Sequence, residues 1–195
     1  MLFESIRVVD GDFENLDAHR ERMERSRLEL YNISDPVDLR ALVVPDIAAS
    51  GVVKCRVVYG PDLLSVDFLP YTPKPVRSLA VAVCDDIDYA HKFTDRSRLE
   101  ELLRAHTAAD DIIVVRDGHL TDASYANIAL FDGTRWVTPA QPLLRGTRRA
   151  LLLREGRIAE EDIRVRDLSR FTSVSLINAM LDLGEVEIPV SGIVY

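Results

Sequence analysis

Apolar and polar residues alternate at the start of the chain and then give way to a helical pattern. Residues 3–9 alternate over most of their length and end in an Asp-Gly pair, which predicts a strand followed by a turn. From Asp17 to Tyr31 apolar residues recur among charged ones at helical spacing, which predicts a helix. His19 and Arg22 are three residues apart, so they lie on one face of that helix.

A second helix and a hairpin are predicted next. The helix is expected to begin at Pro36 and to end before Pro45, because proline suits the first turn of a helix and breaks its interior. Residues 52–59 and 63–69 are rich in β-branched and other apolar residues and flank a Gly-Pro-Asp turn. They predict two antiparallel strands.

A proline-rich stretch divides the chain. Residues 70–77 contain three prolines and are predicted to form a linker. The linker separates a small N-terminal α/β domain, residues 1–69, from a larger C-terminal domain, residues 78–195. The sequence therefore predicts a two-domain protein that mixes helices and strands.

The larger domain is predicted to contain two helices among several strands. One helix covers residues 98–106, and the other begins at Gly146, continues through Leu153 and ends at Gly156. Strands are predicted at residues 78–83, 110–116, 127–131, 136–137 and 173–180.

Composition and charge narrow the class of protein. The 195 residues include 47% hydrophobic and 29% charged residues, typical of a globular domain, and the net charge of −8 disfavours nucleic acid or an anionic membrane as a partner. Neither a membrane span nor a signal peptide is visible, which suggests the cytoplasm. Cys55 and Cys84 are expected to be buried thiols, and the scattered histidines and cysteines offer no spacing for a metal site.

Three features of the larger domain could bind one small cofactor together. Lys92 is one of only three lysines, Asp122 follows about thirty residues later, and Gly146-Thr147 opens a predicted helix. Pyridoxal 5′-phosphate (PLP) requires a lysine amine, an acid opposite its ring nitrogen and a cradle for its phosphate. A helix N-terminus provides free N–H groups for such an anion.

Each of these residues also has an ordinary structural explanation. Lys92 and Arg22 would by default be solvated charges, and Asp122 would cap the turn after Leu120. Gly146-Thr147 would be a common start of a helix, and Asn178 a core amide bonded to the backbone. The order of the residues along the chain is what favours the cofactor.

That order resembles the class IV aminotransferase family of PLP enzymes, which includes branched-chain aminotransferases, D-amino-acid aminotransferases and 4-amino-4-deoxychorismate lyase. The resemblance covers nearly the whole chain. The matching stretches are residues 4–11, His19-x-x-Arg22, Lys92-x-x-x-Arg96, Asp122-x-x-x-x-Asn127, Thr138-Pro139, Gly146-Thr147-Arg148 and residues 177–180.

The resemblance implies the fold of D-amino-acid aminotransferase and a set of roles. Lys92 forms the Schiff base and moves protons, Arg22 contacts the phosphate, and Asp122 faces the ring nitrogen. Arg96 is expected either to orient the ring hydroxyl and act as a cation near the lysine, or to form an ion pair with Asp95 or Glu100. The remaining expected contacts are Asn127, Gly146, Thr147 and Arg148 to the cofactor, and Tyr125 and Asn178 to the substrate.

The chain departs from the family pattern in three places. The family has a glutamate where this chain has Asp122, so the backbone must approach the ring about one methylene closer. The family threonine of the phosphate cradle falls where this chain has Arg148, one residue after Thr147. Compared with longer members the fold is truncated at both ends.

The resemblance implies three functions to be compared. The first is a lyase of the folate branch that releases pyruvate from aminodeoxychorismate and forms 4-aminobenzoate, favoured by Asn178-Ala179 after an apolar strand. The second is an aminotransferase acting on branched-chain or D-amino acids, and the third a homologue that binds PLP or another phosphate ligand without turnover. A homodimer is expected in each case, because family members are dimers with sites at the interface.

Overall fold

The structure is a computed structural model that describes residues 1–195. The chain forms two compact units, one of Met1–Pro73 and His91–Asp95, and one of Lys74–Ala90 and Arg96–Tyr195. The division follows the proline-rich segment except at residues 91–95, which the sequence had placed with the larger domain. These residues belong to the first unit because they pair with its first strand.

The first unit is a four-stranded antiparallel sheet with one helix packed on it. The strands follow the order β2-β1-β3-β4, and the helix α1 contacts β1. Every second residue of β1 is buried beneath the helix, as the alternating sequence pattern predicted. The elements are β1 (Leu2–Val9), β2 (Asp12–Phe13), α1 (Leu16–Tyr31), β3 (Val52–Tyr59) and β4 (Leu63–Pro70).

The helix predicted after Pro36 is wrong. The structure has only two short 3-10 turns in this region, Leu39–Ala41 and Asp46–Ala48. The Asp38 carboxylate accepts a hydrogen bond from the Arg40 N–H at 3.1 Å and so favours a local turn. Pro45 also leaves too few residues for a stable helix, because the first helical turn is costly to form.

The second unit is built on a mixed nine-stranded sheet. The main path runs β10-β9-β8-β7-β6-β5-β13, and β11 pairs with both β8 and β12. The pairs β5–β6, β5–β13 and β9–β10 are parallel, and the others are antiparallel. The strands are β5 (Leu79–Val83), β6 (Asp111–Arg116), β7 (His119–Ala123), β8 (Asn127–Phe131), β9 (Trp136–Pro139), β10 (Ala159–Glu161), β11 (Ser173–Ile177), β12 (Glu187–Pro189) and β13 (Ile193–Val194).

Two helices accompany this sheet, as the sequence predicted. Helix α2 (Ser97–Ala105) buries Leu99, and helix α3 (Thr147–Arg154) buries Leu152. Gly156 follows α3 with a φ of 68°, a left-handed conformation that suits glycine at the end of a helix. The predicted α/β class is confirmed, and none of the helices is long and apolar enough to cross a membrane.

Candidate active site

The predicted site residues are divided between the two units. The first unit contains Arg22 and Lys92. The second unit contains the others, namely Arg96, Asp122, Tyr125, Asn127, Gly146, Thr147, Arg148 and Asn178.

Lys92 lies on a short segment that is tied to the edge of β1. The Phe3 N–H donates to the Lys92 carbonyl at 3.0 Å, and the Thr94 N–H donates to the Met1 carbonyl at 3.0 Å. The Lys92 ammonium nitrogen lies 4.7 Å from the centroid of the Phe3 ring, a cation–π distance. The backbone of the first unit therefore holds the candidate cofactor lysine in place.

The preceding residue, His91, fastens the same segment to α1. Its Nδ1 lies 3.2 Å from the Ser26 hydroxyl, and its Nε2 lies 3.4 Å from a carboxylate oxygen of Glu29. Ser26 and Glu29 are three residues apart on α1 and so share one face of the helix. Lys92 is thus flanked by a contact to the helix and a contact to the strand.

Arg22 is buried in α1 against a carboxylate of β1. The Arg22 Nε donates to Glu4 Oε1 at 2.9 Å, and its Nη2 donates to Glu4 Oε2. His19 Nδ1 lies 2.6 Å from the same Oε2. All three residues are at most 5% exposed, so the pair is shielded from water. The solvated charge that composition alone favoured for Arg22 is ruled out.

The charges of this cluster follow from its contacts. Burial by itself raises the pKa of the Glu4 carboxyl, but the Arg22 guanidinium and the His19 hydrogen bond outweigh it and lower the pKa to about 2. Burial lowers the pKa of His19, and the hydrogen bond to Glu4 opposes this only in part. At neutral pH the cluster therefore holds an ionised Glu4, a charged Arg22 and a neutral His19 that donates through Nδ1–H.

Asp122 lies near the end of β7, where the sequence had offered a turn cap as the alternative. Its Oδ1 accepts from the Asn127 side-chain amide at 2.7 Å, and its Oδ2 accepts from the Leu144 N–H at 2.8 Å. Asn127 also donates to the Leu144 carbonyl at 2.8 Å. Two strands and the loop before α3 therefore hold one buried carboxylate in a fixed orientation.

The hydrogen-bond donors to the Asp122 carboxylate, the Asn127 amide and the Leu144 N–H, are both neutral. Burial raises the pKa of Asp122 to about 6, although the Leu144 N–H, the Asn127 amide and the charge of Arg149 oppose the rise. The guanidinium of Arg149 is bonded elsewhere, to the Pro139 carbonyl at 2.8 Å and to Glu160 at 2.7 Å. A cationic group brought to Asp122 would favour the ionised carboxylate.

Gly146, Thr147 and Arg148 form the start of α3 beside this carboxylate. A Cβ on Gly146 would lie 2.0 Å from Asn127 Oδ1, so only glycine allows the loop to approach Asn127 this closely. Thr147 and Arg148 are buried in the first turn of the helix, and Arg148 Nη2 donates to the Ala179 carbonyl at 3.4 Å. The first N–H groups of a helix point out of its N-terminal end, and this arrangement favours an anion.

Arg96 contacts the loop after Asp122 through backbone. Its Nη2 donates to the Ser124 carbonyl at 2.7 Å, and the Ser124 N–H is directed at Asp111 Oδ1 at 3.3 Å. Neither of the predicted ion pairs, to Asp95 or to Glu100, is among the contacts of Arg96. Two side chains therefore hold Ser124, the residue before Tyr125.

Asn178 is a structural residue at the end of β11. Its Oδ1 accepts from the N–H groups of Met180 and Leu181 at 2.8 and 3.1 Å and closes a tight turn. Its Nδ2 reaches the Tyr125 carbonyl at 3.5 Å, the limit of a hydrogen bond. The backbone-bonded amide offered as the alternative for Asn178 is therefore present, and it touches the loop of Tyr125.

Sequence reasoning missed two buried carboxylates, Glu4, which holds the predicted site residue Arg22, and Asp111, which holds Ser124 beside the predicted site residue Tyr125. Glu4 had a readable signal, because it occupies a core-facing position of an alternating strand whose neighbours on that face are Leu2 and Ile6. A carboxylate there requires a buried cationic partner. Asp111 had no such signal, since it stands at the first position of its strand.

Comparison with known proteins identifies the family. Residues 66–188 match the model of the amino-transferase class IV family. An uncharacterised protein of Haemophilus influenzae is 35% identical over 182 residues, which cover 92% of this chain and 97% of that protein. The chain belongs to the class IV aminotransferase family.

Solved structures agree with this assignment. A candidate 4-amino-4-deoxychorismate lyase of Haemophilus somnus is 35% identical with a TM-score of 0.87, and the match covers 93% of this chain and 97% of that one. A candidate amino-acid aminotransferase of Mesorhizobium loti is 24% identical with a TM-score of 0.81 and matches over 99% of both chains. The second likeness shows the fold alone.

The residues present fit PLP, the cofactor of this family. Asp122 is a carboxylate whose pKa is raised to about 6 by burial, and the positive charge of a pyridinium nitrogen would favour its ionised form. The start of α3, with Gly146 in close contact with Asn127, supplies N–H groups for a phosphate. Lys92 supplies the amine from a segment anchored by backbone hydrogen bonds.

Proposed function

We propose that this PLP-dependent enzyme is a lyase that converts 4-amino-4-deoxychorismate to 4-aminobenzoate and pyruvate. The observation that carries the cofactor assignment is the buried Asp122, held by Asn127 and Leu144 and lacking a full cationic partner. The choice of reaction is supported by the Haemophilus somnus protein, which covers 93% of this chain, and by Asn178-Ala179 after β11. The proposal includes a cytoplasmic homodimer.

The reaction needs one substrate and no second reactant. Removal of a ring proton and cleavage of the C–O bond to the enolpyruvyl group make the ring aromatic. The departing group becomes pyruvate when it gains a proton, so that all atoms of the substrate appear in the two products. Bound PLP supplies an aldehyde that captures the substrate amine and a ring that accepts the electron pair left when the C–H bond breaks.

The chain's own residues have distinct tasks in this proposal. Lys92 holds the cofactor through its amine and, once released, takes up and returns the proton. Asp122 holds a positive charge at the ring nitrogen, which favours uptake of the electron pair. The first turn of α3 and Arg22 bind the phosphate, and Glu4 keeps the Arg22 guanidinium in one orientation.

The cofactor assignment is tested by absorption spectra of the protein with added PLP. We expect a visible band that borohydride removes in the native protein, with the cofactor mass then found on the peptide that contains Lys92. Lys92→Ala should show only the spectrum of free PLP. Lys74→Ala is the matched control, since Lys74 lies on the surface and donates to the Asp110 carbonyl at 2.7 Å. A reducible band that survives in Lys92→Ala would refute the assignment.

The reaction is tested by release of pyruvate from aminodeoxychorismate without any keto acid. A single-substrate turnover that continues over many cycles supports the lyase. The second candidate is an aminotransferase, the activity after which the family that residues 66–188 match is named. That activity would stop after one turnover unless a keto acid is added, so the dependence on a keto acid separates the two reactions.

A further inference from the structure

One face of helix α1 makes contacts that reach two residues of the candidate site. Arg22, Ser26 and Glu29 follow one another at intervals of four and three residues, so their side chains leave the same side of the helix. Arg22 contacts Glu4 of β1. Ser26 and Glu29 both contact His91. Because Arg22 and Ser26 are about 6 Å apart along the helix axis, the candidate phosphate ligand and the contact to His91 lie on consecutive turns of one rigid element.

The imidazole of His91 is held at both of its nitrogens. A carboxylate oxygen only accepts hydrogen bonds, so the Nε2 that faces Glu29 carries a proton, and Nδ1 of the neutral ring accepts from the Ser26 hydroxyl. Ser26 is 2% exposed, so its hydroxyl depends on a protein partner. The two contacts fix the position and the rotation of the ring relative to α1.

Lys92 is the central residue of a three-residue turn that begins at His91. The Phe93 N–H donates to the His91 carbonyl at 2.8 Å and closes the turn around Lys92. The rings of His91 and Phe93 lie edge to face, with their centroids 5.7 Å apart and an angle of 70° between their planes. Phe93 in turn forms a β-bridge with Leu2. The backbone of Lys92 therefore follows any shift of His91.

Strand β1 connects Lys92 to Arg22 from the other side. The Phe3 N–H donates to the Lys92 carbonyl, and the next residue, Glu4, accepts from Arg22. Burial lowers the pKa of His19 most, and the charges of Arg22 and Lys92 lower it further, so both cations lie within electrostatic range of one imidazole. Lys92 and Arg22 thus belong to one closed circuit of contacts, with β1 on one side and α1 on the other.

We propose that His91 is a positioning residue that sets the distance between the Lys92 amine and the phosphate-binding Arg22 by fastening the turn of Lys92 to α1. PLP carries its aldehyde and its phosphate on neighbouring positions of one rigid ring, so the protein groups that meet them must stand at one separation. Backbone bonds to β1 hold the turn at one edge, and His91 supplies the second point. The inference rests on the proposed function, since it takes Lys92 as the amine that holds the cofactor.

The experiment compares PLP with pyridoxal, the same aldehyde without the phosphate. Each aldehyde condenses with a lysine amine and releases one water, and the growth of the visible band gives the rate. Borohydride reduction and peptide mapping show that the measured rate belongs to Lys92. The rate of each variant is divided by that of the native protein with the same aldehyde, so that the intrinsic reactivities of the two aldehydes cancel.

His91→Phe retains a ring and removes both polar contacts. We expect it to slow the reaction with PLP by about 10- to 100-fold, because an aldehyde held through Arg22 no longer meets the amine. The reaction with pyridoxal should slow by about 3-fold or less, because that aldehyde can move with the lysine. His91→Asn should recover part of the PLP rate, since its amide can still contact Ser26.

Ser26→Ala tests the same contact from the side of the helix. It should slow the reaction with PLP by about 3- to 10-fold, the effect of one hydrogen bond. The double variant His91→Phe/Ser26→Ala should be no slower than His91→Phe, because the two substitutions remove one shared contact. His106→Phe is the matched control. His106 is a half-buried histidine of the second unit whose Nδ1 lies 2.7 Å from the Leu102 carbonyl, and its replacement should change neither rate.

Two results would overturn the inference. Equal slowing of PLP and pyridoxal by His91→Phe would show that His91 acts on the lysine amine alone and not on its distance from Arg22. Unchanged rates with both aldehydes in His91→Phe and Ser26→Ala would show that β1 is sufficient to hold Lys92. If His91→Phe does not fold, His91→Asn and Ser26→Ala decide by the same comparison of the two aldehydes.

The proposed function fails by other results. A reducible band in Lys92→Ala refutes the assignment of the lysine, and native protein that releases no pyruvate from aminodeoxychorismate refutes the lyase. Neither measurement involves a variant of His91. If the lyase fails and His91→Phe still slows PLP more than pyridoxal, His91 positions Lys92 in an enzyme that catalyses a different reaction.

Discussion

Asn127 donates its side-chain amide to Asp122 because the two residues are direct register partners at the turn between β7 and β8. The spacing of five residues from acid to asparagine is therefore the length of a tight connection, in which Ala123 and Ala126 close the turn through a backbone hydrogen bond of 2.8 Å. Asn127 then reaches the Leu144 carbonyl, which connects the carboxylate to the loop before α3. One short motif thus links the proposed ring contact to the proposed phosphate contact.

Replacing Asp122 by asparagine removes the charge and retains the shape. We expect Asp122→Asn to bind PLP about 10- to 100-fold more weakly, because a pyridinium loses its buried counter-ion. Titration followed by the cofactor's absorption measures the change. Asp132→Asn is the matched control, since Asp132 caps an exposed turn through Thr134 and Arg135 and should affect only stability. Unchanged affinity in Asp122→Asn would place the ring nitrogen elsewhere.

The same variant reports how the pKa of Asp122 affects stability. The pKa is raised from 3.8 to about 6 in the folded protein without cofactor, so folding favours the protonated acid. That stability is fully present below about pH 4 and is lost as the pH rises through 6, by about 3 kcal/mol. In urea unfolding of the cofactor-free protein, the free energy of unfolding of Asp122→Asn should therefore increase relative to that of the native protein between pH 4 and 7.5. A constant difference across this range would contradict the prediction.

Gly146→Ala should disturb the site through sterics alone. The new Cβ would lie 2.0 Å from Asn127 Oδ1, so the amide or the loop must move and the hydrogen bonds to Asp122 and Leu144 weaken. We expect a loss of about 1–3 kcal/mol in the free energy of unfolding together with weaker PLP binding. Thermal unfolding and the PLP titration measure the two effects. In the control Gly60→Ala the added Cβ meets only the Tyr31 hydroxyl at 3.9 Å, and stability should hardly change.

Local patterns predicted most elements of the fold, since strand alternation, turn residues and helix ends are properties of neighbouring residues. Helix α1, the hairpin of β3 and β4, and helix α3 with its final glycine all appear as predicted. The parallel pairing of β5 with β6 and β13 was beyond such reasoning, because it joins strands far apart in sequence. The helix expected after Pro36 does not form, because the apolar residues of this segment pack on the core from two short 3-10 turns and the chain around them.

The order of the residues along the chain predicted which residues form the candidate site, but it did not predict their contacts. Arg22 was predicted as a phosphate ligand, and the structure adds a partner that was not predicted, Glu4, which accepts from its Nε and Nη2. Arg96 was expected to act on the cofactor ring or in an ion pair, and it holds the Ser124 carbonyl. Spacing along a chain shows which residues share a face, whereas the partner on another strand depends on tertiary packing.

Arg96→Met tests the role of that contact. Loss of the hydrogen bond to the Ser124 carbonyl at 2.7 Å should loosen the loop of Ser124 and Tyr125. We expect faster amide hydrogen exchange at Ser124–Asn127 and little change in β8 beyond it. Arg104→Met, on an exposed position of α2, is the control. Slow exchange in Arg96→Met equal to that of the native protein would show that Asp111 and Asn178 are sufficient to hold the loop.

Glu4→Gln should be the most destabilising of these substitutions. It leaves the buried Arg22 guanidinium without its carboxylate, which costs about 3–5 kcal/mol. The pKa of Glu4 is lowered from 4.5 to about 2, so the stability it contributes is present above pH 4.5 and is lost as the pH falls toward 2. Urea unfolding should accordingly show a large difference between native protein and Glu4→Gln at pH 7 that shrinks in acid.

A second substitution separates this charge effect from packing. Arg22→Met removes the charge that Glu4→Gln leaves unpaired, so the double variant Glu4→Gln/Arg22→Met should recover part of the lost stability. Glu14→Gln is the matched control, because Glu14 is partly exposed and its Oε2 lies 4.0 Å from the Arg7 Nε, a long distance for an ion pair. This substitution should cost less than about 1 kcal/mol in the free energy of unfolding. Strictly additive effects of the two core substitutions would show that Glu4 and Arg22 do not act as a pair. They would also remove the reason to expect that Glu4 orients Arg22 for the phosphate.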